Sequence, residues 1–186
     1  VCYENSFGVT KNDKETVKWY SKAAEQGFSQ AQNNLGAHYD VTKDYEESVR
    51  WYRKAAVGGD AEAQHLLADR YSLGKGVTKD YEEAVKWYRK AAEQGFADAQ
   101  FNLAVRYRDG KGVTKSYKEA YKWLVIASAQ ERTYLVALGG IDVLEDEMTF
   151  DQITEAEEEA AEFSPKLTGK RPRSELERTA MPPLKE

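Results

Sequence analysis

Tryptophan occurs four times in this chain, at Trp19, Trp51, Trp87 and Trp123, with intervals of 32, 36 and 36 residues. Seven residues before each stands a helix-capping type: Asn12, Asp44, Asp80 and Ser116. Three after each cap comes Glu15, Glu47, Glu83 or Glu119, and eight after the first three tryptophans comes Gly27, Gly59 or Gly95. One period shared by caps, aromatics and stops restricts the chain to stacked units. Each such unit hides its apolar face only against its neighbours.

The clearest copy is 80–95. Wound at about 100° per residue, Tyr81, Ala84, Val85, Trp87, Tyr88, Ala91 and Ala92 fill one arc, and Glu82, Lys86, Arg89, Lys90 and Glu93 the other. So wide an apolar face predicts a helix packed against more than one neighbour. Asp80 with Glu83 predicts a reciprocal capping box, Gly95 a left-handed exit, and Glu82–Lys86 and Arg89–Glu93 surface ion pairs.

A second element alternates with this one. It reads Ala31-Gln32-x-x-Leu35-x-x-x-Tyr39, then Ala63-Gln64-x-x-Leu67-x-x-x-Tyr71, then Ala99-Gln100-x-x-Leu103-x-x-x-Tyr107. Steps of four keep Ala, Leu and Tyr on one helical face. Gly74-Lys75-Gly76-Val77 and Gly110-Lys111-Gly112-Val113 follow as turns. The unit is therefore helix A, loop, helix B.

Helix A with Leu35-Gly36, the Gly-x-Gly-Val loop, and the helix B text Asp-Tyr-x-x-Ala-x-x-Trp-Tyr-x-Lys-Ala-Ala-Glu-Gln-Gly resemble the Sel-1-like repeats. These are 36-residue relatives of the tetratricopeptide repeat. The resemblance covers roughly residues 3–163 and implies an all-α, right-handed α-solenoid of helix-turn-helix repeats with a C-terminal capping helix. It also implies a protein-binding scaffold without naming the protein bound.

The chain divides accordingly. Residues 1–28 read as a partial first repeat, the front of its helix A missing, in a fragment or processed chain; any secretion signal would lie in the missing part. Three repeats follow over 29–132: 29–59, 60–95 and 96–132. The first of these is shortened, since Tyr39-Asp40-Val41 replaces the seven residues Tyr71–Val77. Plain loop shortening is the simple reading, and a built-in change of curvature the alternative. In the last, Val125-Ile126 stands where Arg53-Lys54 and Arg89-Lys90 stood, so an apolar surface needs a cover. The expected cover is 133–163, a degenerate repeat and terminal cap. There Thr149 and Gln152 form a capping box, and Ile153, Ala156, Ala160 and Phe163 make an apolar stripe. The remaining 164–186 contains all four prolines and few large apolar residues, and reads as a disordered tail.

Net charge is −5, unevenly spread: Thr133 to Pro165 lacks Lys and Arg, while Ser164–Glu186 has six basic residues against three acidic. The acidic run Glu157–Glu159 reads as a solvated face. Lys170-Arg171-Pro172-Arg173 has no interleaved aromatics, so no nucleic acid is expected as partner. No run approaches the ~20 apolar residues of a membrane span. The single Cys2 makes no internal disulfide and leaves the compartment open, cytoplasm or periplasm or secreted.

No constellation of catalytic groups stands out. His38 and His65, the only histidines, occupy different phases of their units, with no Cys or carboxylate at zinc-ligand spacing. No metal and no cofactor are expected. Some cysteine-rich members of the resembled family have been linked with penicillin binding or hydrolysis, but their paired cysteines are lacking here. The expectation is a non-enzymatic scaffold for another protein or peptide. A hydrolase or binder of cell-wall-like ligands and a structural oligomerisation module are the alternatives.

The resemblance implies a concave groove lined by helix A. Phe101 and Val105 lie about 200° and 240° around the helix from Ala99, away from the Ala99-Leu103-Tyr107 stripe. Their counterparts are His65 and Asp69 in the preceding repeat and Asn33 and Ala37 in the one before. Framework positions repeat while these six vary, which marks them as candidate partner contacts. Cover of Phe101 by the 133–145 helix is the competing reading.

Overall fold

The computed structural model describes residues 13–130 and 132–163. The expected helix end over 1–11, the cap at Asn12 and the tail 164–186 lie outside the described residues. Among the described residues all regular structure is helical, in two compact units divided between Gln94 and Gly95. The first holds α1 (Asp13–Glu25), α2 (Ser29–Val41), α3 (Tyr45–Val57), α4 (Ala61–Leu73) and α5 (Tyr81–Glu93). The second holds α6 (Ala97–Asp109), α7 (Tyr117–Ser128), α8 (Tyr134–Glu145) and α9 (Phe150–Phe163).

In the first unit each helix packs on the next. The repeated stripe is its core: Leu35, Ala63 and Leu67 are fully buried, as are Ala55, Ala84 and Ala91 of the Trp helices. In the second unit α6 packs on α7, and α7 carries both α8 and α9. Ile126 is buried and Val125 half-buried there.

The helix starts depart from the expected reciprocal boxes. Asp44, Asp80 and Ser116 each accept an N–H of the first turn, from Glu47, Glu82 and Glu83, and Glu119. Their own N–H groups, however, donate to the carbonyls of Tyr39, Tyr71 and Tyr107 at the end of the preceding helix A. The glutamates are thereby released to Arg50, Lys86 and Lys122 three residues on. Lys86 thus pairs with Glu83 rather than with Glu82. Thr149 and Gln152 do close a full box, at 3.0 and 3.4 Å.

Two glycines show why the Trp helices of the first unit stop where they do. Gly27 and Gly59 take φ of +91° and +93°. The following Phe28 and Asp60 then donate back to the carbonyls of Ala23 and Ala55, the Schellman arrangement. In the loop after helix A of the shortened repeat no glycine is present, and Lys43 takes the left-handed conformation instead, at φ +64°.

The buried glutamine of each Ala-Gln pair had no role assigned from sequence. Gln32 and Gln64 donate to the carbonyls of Ala24 and Ala56, both at 3.0 Å, at the end of the preceding Trp helix, where each carbonyl also accepts the backbone N–H of Gly27 or Gly59. Gln64 also accepts from Gln94 at 2.7 Å. Gln64→Leu keeps the volume but removes both of these side-chain bonds. A loss of about 1–3 kcal/mol is expected, measurable by urea denaturation; an unchanged midpoint would mean that water replaces the amide.

Candidate functional site

In the first unit the two helix A elements, α2 and α4, are bound to each other through polar side chains. Asn33 donates to a Glu62 carboxylate oxygen at 2.9 Å. About two turns further on, one terminal Arg70 nitrogen donates to Asp40 at 3.0 Å and the other lies 2.8 Å from the second carboxylate oxygen as an ion pair. That planar fork matches a carboxylate in a way lysine cannot. The guanidinium also lies over the Tyr45 ring, 5.8 Å from its centroid. Burial, and then the nearby Asp40 charge, pushes the Tyr52 phenol up to about 12, so it stays neutral across the ordinary pH range.

A second polar group joins α4 to α5. The Tyr88 hydroxyl donates to Asp69 at 2.5 Å. The other Asp69 oxygen lies 3.6 Å from His65 Nε2, and the His65 ring stands 5.8 Å from that of Tyr88. At 3.6 Å the His65–Asp69 contact is electrostatic rather than a well-formed hydrogen bond.

The six sequence-selected positions therefore differ in accessibility. Asn33 and His65 are buried, at 4% and 9%. Ala37 is exposed and Asp69 half-buried. Phe101 and Val105, one turn apart on α6 in the second unit, are both half-buried. The framework residues beside them, Ala99, Leu103 and Tyr107, are buried.

The sequence reading missed Glu62, the Asp40–Arg70 pair and the reach of the Tyr88 hydroxyl. The last had a signal: Tyr20, Tyr52 and Tyr88 recur where phenylalanine would fill the same space, and a tyrosine kept on an apolar face usually has a partner for its hydroxyl. Among the described residues no group of three or more His, Cys, Asp or Glu could hold a metal ion. No described helix is long and apolar enough to cross a membrane.

Paired helices, a constant packed frame and side chains that change from unit to unit define a helical repeat protein of the α-solenoid class. The chain belongs to the Sel1 repeat family, whose model it matches over residues 1–28, 29–60, 61–96 and 97–131. No curated protein matches it in sequence. Among solved structures it is similar to a protective antigen of uropathogenic Escherichia coli with an SLR fold: 34% identity, TM-score 0.81, covering 98% of this chain and 40% of that one. A Sel1 repeat protein from Oxalobacter formigenes is 39% identical, with TM-score 0.64, over 68% of this chain and 54% of that one. Helicobacter pylori cysteine rich protein B is 27% identical, with TM-score 0.55, over 69% of this chain and 98% of that one. The chain thus spans about half or less of the first two. Sel1 repeats are in general protein-interaction scaffolds rather than enzymes.

Proposed function

We propose that this chain is a non-enzymatic binding scaffold that holds segments of another protein on its helix A surfaces. The α2–α4 surface of the first unit and the α6 surface of the second each serve by themselves. The half-buried Phe101–Val105 pair carries the reading: two apolar side chains remain partly open on a helix whose framework stripe is buried. Partly open aromatics in a packed setting are the usual anchors of an interface. In the first unit the chemistry is polar: Glu62 bonds Asn33, one turn before the exposed Ala37, and half-buried Asp69 stands on α4, so the two surfaces suit different side chains.

A random-peptide display library panned on the immobilised chain tests this. Selected peptides should lose at least about tenfold in affinity, roughly 1.4 kcal/mol, with either Phe101→Ala or Ala37→Arg. Stability should fall by under about 1 kcal/mol in both. Peptides that bind both variants as tightly as the parent would refute the assignment. A stability loss of about 3–5 kcal/mol for Phe101→Ala would place that ring in the core instead.

A further inference from the structure

Among the described residues, helix α8 has an apolar face with nothing packed on it. Ala137, Ile141 and Leu144 are buried on the side that meets α7. On the opposite side, roughly 160° around the helix, Leu135, Val136 and Val143 are 78%, 58% and 58% exposed. Between them lies Gly139, where an added Cβ would meet nothing within 4 Å. The helix A elements α2, α4 and α6 each pack against the helix that follows them in their own repeat. After α8 the chain breaks this pattern, because α9 packs on α7.

We propose that this face binds the same face of a second copy, two α8 helices crossing antiparallel on a two-fold axis at Gly139. The spacing is symmetric about that residue: Leu135 stands four before it and Val143 four after. The axis therefore sets Leu135 of each copy on Val143 of the other, as an isologous contact requires. Glycine at the crossing lets the backbones approach, since interaxial distance is set by the side chains at the contact.

Charge agrees with the same register. Arg132 lies seven before Gly139 and Asp146 seven after, so each Arg132 meets Asp146 of the second copy. Within one copy these charges oppose the dipole of α8, positive at its N-terminus and negative at its C-terminus. An antiparallel neighbour reverses that relation. The present partner of Arg132 is Asp98 at 3.0 Å, with the arginine side chain 78% exposed, so little is lost in redirecting it. Two 12-residue helices form a contact at the small end of specific interfaces, and the dimer is accordingly weak. None of the helix A contact residues takes part, so this inference stands independently of the peptide-binding reading.

Sedimentation equilibrium of the full chain, from about 5 to 500 µM, should show a reversible monomer–dimer transition. Gly139→Gln should weaken it at least about tenfold and leave the melting temperature unchanged or higher, since glutamine is the better helix former. Arg132→Asp and Asp146→Arg should each weaken the dimer, and the double variant should restore it. A parent chain that stays monomeric throughout overturns the proposal. So does a dimer indifferent to Gly139→Gln, or a double variant no better than the singles.

Discussion

Trp123→Ala should lower the unfolding free energy by about 3–5 kcal/mol, the range for truncating a core aromatic. Trp123 is 5% exposed, and its ring meets that of Phe163 edge-on at 5.0 Å. Phe163 ends α9, whose Ala156 and Ala160 are buried. Removing the indole therefore opens a cavity on α7 and takes away the ring that holds the end of α9. Urea denaturation gives the first effect, and faster proteolysis within 150–163 the second. A loss under about 1 kcal/mol with α9 still protected would show that other contacts hold the helix.

Those other contacts are ionic and respond to acid. Lys118 bonds Glu155 and Glu159 at 2.7 and 2.8 Å, and Lys122 reaches Glu159 at 2.9 Å. Residue 118 is Lys where the two preceding repeats have Glu46 and Glu82, a charge reversal suited to an acidic neighbour. Hydrogen bonds from Lys118 and Lys122 hold the Glu159 carboxyl below its ordinary value. A carboxyl depressed on folding stabilises above its unfolded pKa, and that stability disappears as pH falls through the lower folded value. Acid should therefore loosen α9 only below the ordinary carboxylate range. The effect should be smaller than that of Trp123→Ala, because exposed pairs are screened by water and salt.

Gly76→Ala should cost about 3 kcal/mol or more, against about 1 kcal/mol for Gly74→Ala. Both glycines are left-handed, at φ +72° and +70°, so both pay the conformational term. Only Gly76 adds a collision: its Cβ would fall on the Tyr45 carbonyl at the start of α3, with Glu46 N at 2.8 Å. At Gly74 the nearest atom is the Lys79 Cβ at 3.1 Å. Backbone cannot give way as a side chain can. Equal melting temperatures for the two variants would show that the loop of this repeat is free to lift off α3.

The period alone made the helical repeat and most helix ends legible. Caps, apolar arcs and glycine stops act over a few residues, and their physics is local: a side-chain oxygen three residues from an orphan N–H, or a missing Cβ where φ must be positive. Contacts between neighbouring helices were not legible. Gly74-Lys75-Gly76 read as one turn, yet the second glycine answers to a backbone 31 residues earlier in the chain. Asp80 and Glu83 read as a box, yet the Asp80 N–H goes to Tyr71 because helix A ends beside it. The candidate surface divides in the same way. Variation between repeats marked Asn33, Ala37, His65, Asp69, Phe101 and Val105, but their exposure is decided by what lies across from each. Glu62 engages Asn33, and the Tyr88 ring lies beside His65, while Ala37 faces solvent. Sequence determined which faces would be apolar and where the Trp helices and the last helix would start. Only the tertiary structure decided which of those faces found a partner, because burial depends on helices brought together from distant parts of the chain.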